Sequence, residues 1–200
     1  MNAVAVEGPI VGRFIPESGS ARLVAYAGFA ILGSLILWAS AKISVPFWPV
    51  PMTLQTGAVV LIGAAYGARL GFATVVLYLM EGIAGLPVFS GGGGPAYLLG
   101  PTGGFLIGFA PAAFIVGWLV ERGFDRNPLS LFGAMVAGDA VIFLLGFVWL
   151  AWFATLSTGA TGIGAAAAFS GGVLKFVLGD LVKLALAAAL VSAGARLVRR

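Results

Sequence analysis

Long apolar runs that carry almost no charge constrain this chain more than any other feature. The run from Leu129 to Thr155 contains a single charged residue, Asp139. A helix needs about 20 predominantly apolar residues to cross the hydrocarbon core of a bilayer. Charged residues make up 9% of the chain, whereas an ordinary soluble domain has about 25%. The sequence therefore predicts an all-α integral membrane protein embedded in a lipid bilayer.

The apolar runs predict six transmembrane helices, at 21–42, 53–67, 69–85, 104–121, 129–155 and 172–195. Six spans place both chain ends on the same side of the membrane. If the amino end lies inside, every arginine falls on the inner side, as the positive-inside rule requires: Arg13, Arg22, Arg69, Arg122, Arg126, Arg196, Arg199 and Arg200. We therefore predict an N-in/C-in bundle, with residues 1–20 as a cytoplasmic tail and residues 21–200 as a single membrane domain.

The residue types that are missing exclude several classes of function. The chain has no cysteine and no histidine, which removes thiol nucleophiles, imidazole acid–base chemistry and the usual zinc ligands. The net charge is +4, but the charged residues are distributed by membrane side. They do not cluster on one soluble face, as nucleic-acid binding would require. We expect no cofactor, no metal and no nucleic-acid partner.

Asp180 and Lys183 lie three residues apart in the last apolar run, so a helix places them on one face. Ionised residues near a membrane midplane cost about 2.5 to 3.5 kcal/mol and usually mark a substrate or ion path. At about 1.5 Å per helical residue from the outer start of the span at Gly172, Lys183 lies about 16 Å deep in the membrane. The pair therefore indicates a functional site, or else two charges that neutralise each other and hold a neighbouring helix. Lys42 and Lys175 lie near the outer boundary, where long side chains reach water.

The first outer loop, residues 45–56, contains three prolines that make it a stiff strap. Phe47 and Trp48 in this loop either cap an apolar ligand or anchor the loop in the headgroup region. Gln55 offers an amide donor and acceptor at the mouth of a span, where it either meets a ligand or bonds a neighbouring helix.

The second outer loop, residues 85–104, carries no charge and has four consecutive glycines. Its glycine run lacks the Gly-Lys-Ser/Thr continuation of a phosphate-binding loop, so it does not indicate nucleotide binding. Long loops of this kind in compact proteins are often lids or binding loops. We predict a lid whose glycines make it mobile.

Two further acids fall within predicted spans. Glu81 lies about one turn from an outer end, so it either belongs to the site or is solvated by the loop. Asp139 is either a partner for Lys183 or an independent interhelical bond. Pairs of small residues four apart predict close helix packing: Gly63 with Gly67, Gly104 with Gly108, and Ala134 with Gly138.

Four segments taken together resemble one known family. They are Val-Pro-Met-Thr-Leu-Gln-Thr at 50–56, Gly-Leu-Pro-Val-Phe at 85–89, Leu-Gly-Pro-Thr-Gly-Gly-Phe-Leu-Ile-Gly-Phe at 99–109, and Gly-Asp-Leu-Val-Lys at 179–183. In this order they look like BioY, the biotin-specific substrate-binding (S) component of energy-coupling factor (ECF) transporters. The resemblance runs from about residue 20 to residue 195.

The resemblance implies a bundle of six helices around a biotin pocket in the outer half of the membrane, covered by the first and third loops. It implies that Asp180 accepts from a ureido N–H of biotin and that Lys183 donates to a biotin oxygen. Gln55 or Thr53 would complete the polar contacts, and Glu81 is a further candidate. Apolar walls and a lid would come from Phe47, Trp48, Phe89 and Tyr97.

The resemblance also implies partners, because the chain has no ATP-binding motif of its own. A transmembrane coupling protein and a pair of ATPases would drive biotin uptake across the cytoplasmic membrane of a prokaryote. Ala21 and Ala25 look like the family's small-residue docking motif for the coupling protein. Two rival functions stay open: a stand-alone carrier that binds a proton at Glu81, Asp139 or Asp180, and an intramembrane enzyme with Asp180 as base.

Overall fold

The computed structural model describes residues 9–198. Predictions that concern residues 1–8, Arg199 and Arg200 lie outside these residues. The described chain opens with a short 3₁₀ helix, Ile10–Phe14, and continues through α1, Ser20–Lys42. A small antiparallel hairpin follows, with β1 at Ser44–Val45 and β2 at Met52–Thr53. Next come α2, Gln55–Tyr66, and α3, Ala68–Ile83.

The second part of the chain contains the longest helices. A short helix α4, Pro95–Leu99, precedes α5, Gly103–Val120. A 3₁₀ turn at Phe124–Arg126 leads to α6, Pro128–Trp152. Helix α7, Ala165–Phe169, joins through a π-helical turn, Ser170–Leu174, to α8, Lys175–Val198. The predicted all-α fold is therefore confirmed.

Four helical runs are long and apolar enough to cross a membrane: Ser20–Lys42, Gly103–Val120, Pro128–Trp152 and Ala165–Val198. Helix α2 is apolar but shorter, with 12 residues, and α3 has 16. Each of the six predicted spans overlaps one of these helices. The count of six crossings stays a prediction, because α2 and α3 fall below the usual length of about 17 to 25 residues.

The last predicted span, 172–195, begins too late. The helical run starts at Ala165, and the glycine pair Gly171–Gly172 lies inside it, in the π-helical turn. Glycine disfavours a helix interior, yet the helical run continues through this pair. Neighbouring groups fill this position closely: a Cβ on Gly171 would lie 3.0 Å from Pro49 Cδ, and a Cβ on Gly172 would lie 2.7 Å from Leu150 Cδ2.

Close backbone contacts at small residues hold α5 against its neighbours. A Cβ on Gly63 of α2 would lie 2.6 Å from the carbonyl oxygen of Ala113. A Cβ on Gly104 would lie 2.1 Å from Trp149 Cβ on α6. The predicted packing role of these glycines is confirmed, and α5 runs through the middle of the bundle between α2, α3 and α6.

The two outer loops are ordered by their own hydrogen bonds. In the first, Ser44 pairs with Thr53 across the hairpin. In the second, the Phe89 amide donates to the Gly92 carbonyl at 2.9 Å and the Gly94 amide donates to the Gly82 carbonyl at 2.7 Å. These bonds and α4, Pro95–Leu99, fix much of the backbone of residues 85–104 in this structure, and the predicted role of the loop as a mobile lid stays a prediction.

The two ends of the described chain meet at one end of the bundle. Arg13 Nη1 donates to the carbonyl oxygen of Val198 at 3.1 Å. In the turn between α2 and α3, Gly67 has a φ of +83°, which glycine adopts without strain. Glu121 Oε1 accepts a bond from the next amide, that of Ala68, at 2.8 Å. A Cβ on Gly67 would also lie 2.6 Å from Pro9 Cγ, so Arg69 and Arg122 lie at the same end as Arg13.

Substitution of Gly63 tests the close packing of α2 on α5. We expect Gly63→Ala to lower the free energy of unfolding by about 1 to 3 kcal/mol, because the new methyl group forces two backbones apart. Thermal unfolding of the detergent-solubilised protein, followed by tryptophan fluorescence, measures the change. Gly133→Ala on α6 is the control, since a Cβ there meets nothing within 4 Å. Equal stability of Gly63→Ala and wild type would contradict the packing.

Candidate functional site

An ion pair on α8 forms the polar centre of the site. Lys183 Nζ contacts Asp180 Oδ1 in a hydrogen-bonded salt bridge. The side chains of Lys183 and Asp180 are 11% and 3% exposed, respectively. The helical spacing predicted this contact, since residues i and i+3 share a face. Two buried opposite charges in contact offset part of the cost of removing each from water.

The beginning of α2 supplies the other partners of this ion pair. Lys183 Nζ donates to the Thr53 carbonyl oxygen at 2.8 Å and to Thr56 Oγ1 at 3.1 Å. Thr56 Oγ1 in turn donates to Asp180 Oδ1 at 3.2 Å. The ammonium group has three N–H donors, and all three have acceptors here. The pair therefore joins α8 to the segment where β2 passes into α2.

Gln55 is held at the same helix start by its own hydrogen bonds. Its backbone amide donates to Thr53 Oγ1 at 3.2 Å, which satisfies one of the free amides at the start of α2. Its side-chain amide donates to Tyr78 Oη at 2.7 Å, and Tyr78 Oη donates to the Val88 carbonyl at 3.0 Å. Gln55 is thereby fixed between α3 and the second outer loop.

Aromatic side chains complete a cavity around these polar groups. Phe89 is fully buried; its ring meets Tyr78 edge-on, with centroids 5.5 Å apart, and stacks on Tyr97 at 5.1 Å. Other residues of α5, α6 and α8 close the apolar walls: Phe105, Leu106, Phe109, Phe143 and Phe176. A mostly apolar cavity with a few fixed polar groups is the usual form of a small-molecule site.

Six of the nine predicted ligand contacts line this single cavity: Thr53, Gln55, Phe89, Tyr97, Asp180 and Lys183. The other three lie elsewhere. Phe47 packs edge-on against Phe176, with centroids 6.0 Å apart, and so contacts a wall residue without lining the cavity itself. Trp48 is 75% exposed. Glu81 accepts hydrogen bonds from Ser34 Oγ at 2.9 and 2.7 Å, which tie α3 to α1.

Several cavity residues were missed by the sequence reasoning. Phe176 precedes Asp180 by four residues, so helical spacing places it on the same face as the ion pair. Thr56 directly follows Gln55 in the first turn of the same helix. These two could have been found from their spacing. Phe105 and Phe109 of α5 carry no such signal, because aromatic residues in an apolar helix usually belong to the packing core.

Asp139 of α6 is buried near the site without joining it. It is 6% exposed, and its Oδ1 has no hydrogen-bond partner within residues 9–198. Met135, one turn before it, packs in the same cluster as Leu184, one turn after Asp180. The predicted interhelical hydrogen bond of Asp139 is not seen among the described contacts, and its role as an indirect partner of Lys183 stays a prediction. In the same residues no cluster of three or more His, Cys, Asp or Glu could hold a metal ion.

The fold and the cavity are those of a multi-pass membrane protein with a mostly apolar cavity that contains a few fixed polar groups. The model of the BioY family matches residues 16–200. The chain belongs to the BioY family.

Named relatives agree with this assignment. A probable biotin transporter BioY from Pyrococcus horikoshii is 44% identical over 148 residues, which cover 74% of this chain and 82% of the relative. A biotin transporter BioY from Rhizobium etli is 38% identical, over 74% of this chain and 79% of the relative.

A solved structure has the same fold. A crystal structure of the S-component for biotin from an ECF-type ABC transporter matches with a TM-score of 0.75. It covers 88% of this chain and 93% of that one, at 23% sequence identity. The predicted bundle resembling an ECF S component is thereby supported at the level of the fold.

Substitution of Gly82 tests whether the position of Phe89 shapes the cavity. A Cβ on Gly82 would lie 2.0 Å from Phe89 Cζ, so Gly82→Ala must displace the ring. We expect ligand affinity to fall about tenfold or more, because loss of an aromatic wall contact costs about 1.5 to 3 kcal/mol. Equilibrium binding to the purified protein measures the loss, with Gly133→Ala as the control. Unchanged affinity in the folded variant would show that Phe89 does not contact the ligand.

Proposed function

We propose that this chain is the high-affinity biotin-binding, substrate-specific subunit of an ECF-type transporter and takes part in biotin uptake. The observation that carries the proposal is the buried Asp180–Lys183 pair in the wall of an aromatic cavity. The family membership supports the same ligand, because the relatives described above are named biotin transporters.

The polar groups of the site complement those of biotin. The bicyclic ring of biotin presents two ureido N–H donors and one carbonyl oxygen, and its side chain ends in a carboxylate. Both hydrogen bonds that Asp180 receives within residues 9–198 go to Oδ1, which leaves Oδ2 as the acceptor for a ureido N–H. Lys183 would donate to a biotin oxygen. Gln55 and Thr53 would supply the remaining polar contacts beside it.

The apolar part of biotin would lie between the aromatic walls. Phe89 and Tyr97 already stack on each other and would cover the ring system from the second outer loop. Phe47 would support this wall indirectly, through Phe176. Trp48 and Glu81 do not line the cavity, so they are not proposed as direct contacts in this arrangement.

We propose six crossings with both ends on the cytoplasmic side of a prokaryotic membrane, in a single membrane domain at 21–200. The hydrogen bond between Arg13 and Val198 supports the common side of the two ends. The arginines near this end support its cytoplasmic location by the positive-inside rule. The cavity lies toward the opposite ends of the helices, where it would open to the outside.

Energy for uptake would come from partners. We propose that a transmembrane coupling protein docks at Ala21 and Ala25, and that a pair of ATPases hydrolyses ATP. The described buried residues of α1 begin only at Gly33, so the half of α1 that carries both alanines is open to a partner or to lipid. The chain itself would act without a cofactor and without catalysis.

Binding of biotin to the purified chain tests the proposal directly. We expect saturable binding of radiolabelled biotin that unlabelled biotin displaces and that thiamine and riboflavin do not. Asp180→Ala and Lys183→Ala should each weaken binding more than about thirtyfold, because each leaves a buried charge unpaired. Size-exclusion profiles and thermal transitions verify that the variants are folded.

A variant that removes both charges separates binding from folding. Asp180→Asn with Lys183→Met keeps similar side-chain volumes and leaves no buried unpaired charge. This double variant should fold normally and still fail to bind biotin. Lys175→Met, which removes an exposed charge of the same helix, is the matched control. Wild-type affinity in the double variant would reject the assigned site, and no binding by folded wild type would reject biotin as the ligand.

Enlarging the alanines of α1 tests the proposed docking. We expect Ala21→Leu with Ala25→Leu to bind biotin normally but to abolish uptake by cells that contain the coupling protein and ATPases. Ala27→Leu is the control, because Ala27 is exposed on another face of α1. Uptake by the chain alone that follows a proton gradient would contradict this proposal and favour the stand-alone carrier.

A further inference from the structure

Lys42, the last residue of α1, does not simply extend into water. Its Nζ donates to the Pro87 carbonyl at 2.8 Å and to the Phe89 carbonyl at 2.7 Å. Both acceptors belong to the second outer loop, which contains no charged residue between Gly85 and Gly104. The expectation that Lys42 only reaches solvent was therefore incomplete, since its side chain connects α1 to this loop.

The carbonyl between these two is also bound by a side chain. Tyr78 Oη donates to the Val88 carbonyl at 3.0 Å. Three consecutive carbonyls, those of residues 87, 88 and 89, are thus held from two different helices. Tyr78 is fully buried, so its bond is part of the core. Lys42 is exposed, so water can replace its bonds when the loop moves.

The segment that Lys42 holds is also a wall of the cavity. Phe89 is fully buried and lines the cavity, and Ser90 and Tyr97 of the same loop line it as well. The other walls come from long packed helices and from the strap before α2. Exposed loops open at lower free energy than packed helices. A ligand that leaves toward the outer side would therefore displace this loop.

We propose that Lys42 is a positioning residue that clamps the second outer loop over the cavity and thereby sets the rate at which bound ligand leaves. This proposal rests on the proposed function for the identity of the ligand, biotin. Lys42 does not contact the ligand. Opening the loop breaks its two hydrogen bonds to the Pro87 and Phe89 carbonyls, and closing re-forms them, so the clamp acts on the dissociation rate more than on the association rate.

Removal of the ammonium group tests the clamp. We expect Lys42→Met to increase the dissociation rate of biotin about tenfold, since two charge-assisted hydrogen bonds are lost at an exposed position. The association rate should change less than about threefold. The separate variant Lys42→Arg should keep the slow dissociation of wild type, because a guanidinium group can donate to both carbonyls. Lys175→Met is the matched control and should dissociate at the wild-type rate.

Hydrogen exchange without ligand provides the second measurement. In Lys42→Met the amides of residues 85–100 should exchange faster than in wild type, and those of α5 and α6 should not change. Unchanged loop exchange together with unchanged dissociation in the folded variant would overturn the clamp. Faster exchange throughout the protein would also overturn it, because Lys42 would then only stabilise the fold. If wild type failed to bind biotin, the proposed function would fail. The exchange measurement would still show whether Lys42 holds the second outer loop.

Discussion

Burial of the Asp180–Lys183 ion pair is the interaction on which the rest of this site depends. Two charges removed from water cost several kcal/mol each unless their hydrogen-bonding groups are all satisfied. The bond between Asp180 and Lys183 satisfies only part of the hydrogen-bonding capacity of the two side chains. The Thr53 carbonyl and the Thr56 hydroxyl supply the rest, so the start of α2 must lie against the first half of α8.

This requirement brings irregular backbone next to the helices, and such backbone must be hydrogen-bonded where it is buried. Pairing of β1 with β2 provides hydrogen-bond partners for backbone groups of the strap before α2. Tyr78 and Lys42 satisfy the loop after α3 by binding three consecutive carbonyls. The two loops can therefore form cavity walls without leaving these polar groups exposed to an apolar ligand.

The sequence could predict what depends on composition and helical spacing. Apolar runs located the helices, and the spacing of Asp180 and Lys183 placed both on one face of α8. It could not predict that Lys42 reaches the loop after α3, because that contact depends on how a flexible side chain meets a distant segment. The start of the last helix was also missed, since the glycine pair in the π-helical turn resembles a helix end.

The ion pair also constrains how a ligand can enter the site. The three donors of Lys183 already have acceptors in Asp180, Thr53 and Thr56. A ligand oxygen that binds Lys183 must therefore replace one of them. If the ligand replaced Asp180 as an acceptor, the buried carboxylate would lose its salt bridge with Lys183. The neutral oxygens of Thr53 and Thr56 are easier to replace. The charge pair would thus stay intact when a neutral ligand oxygen exchanges with a threonine oxygen, and such binding would add no unpaired buried charge.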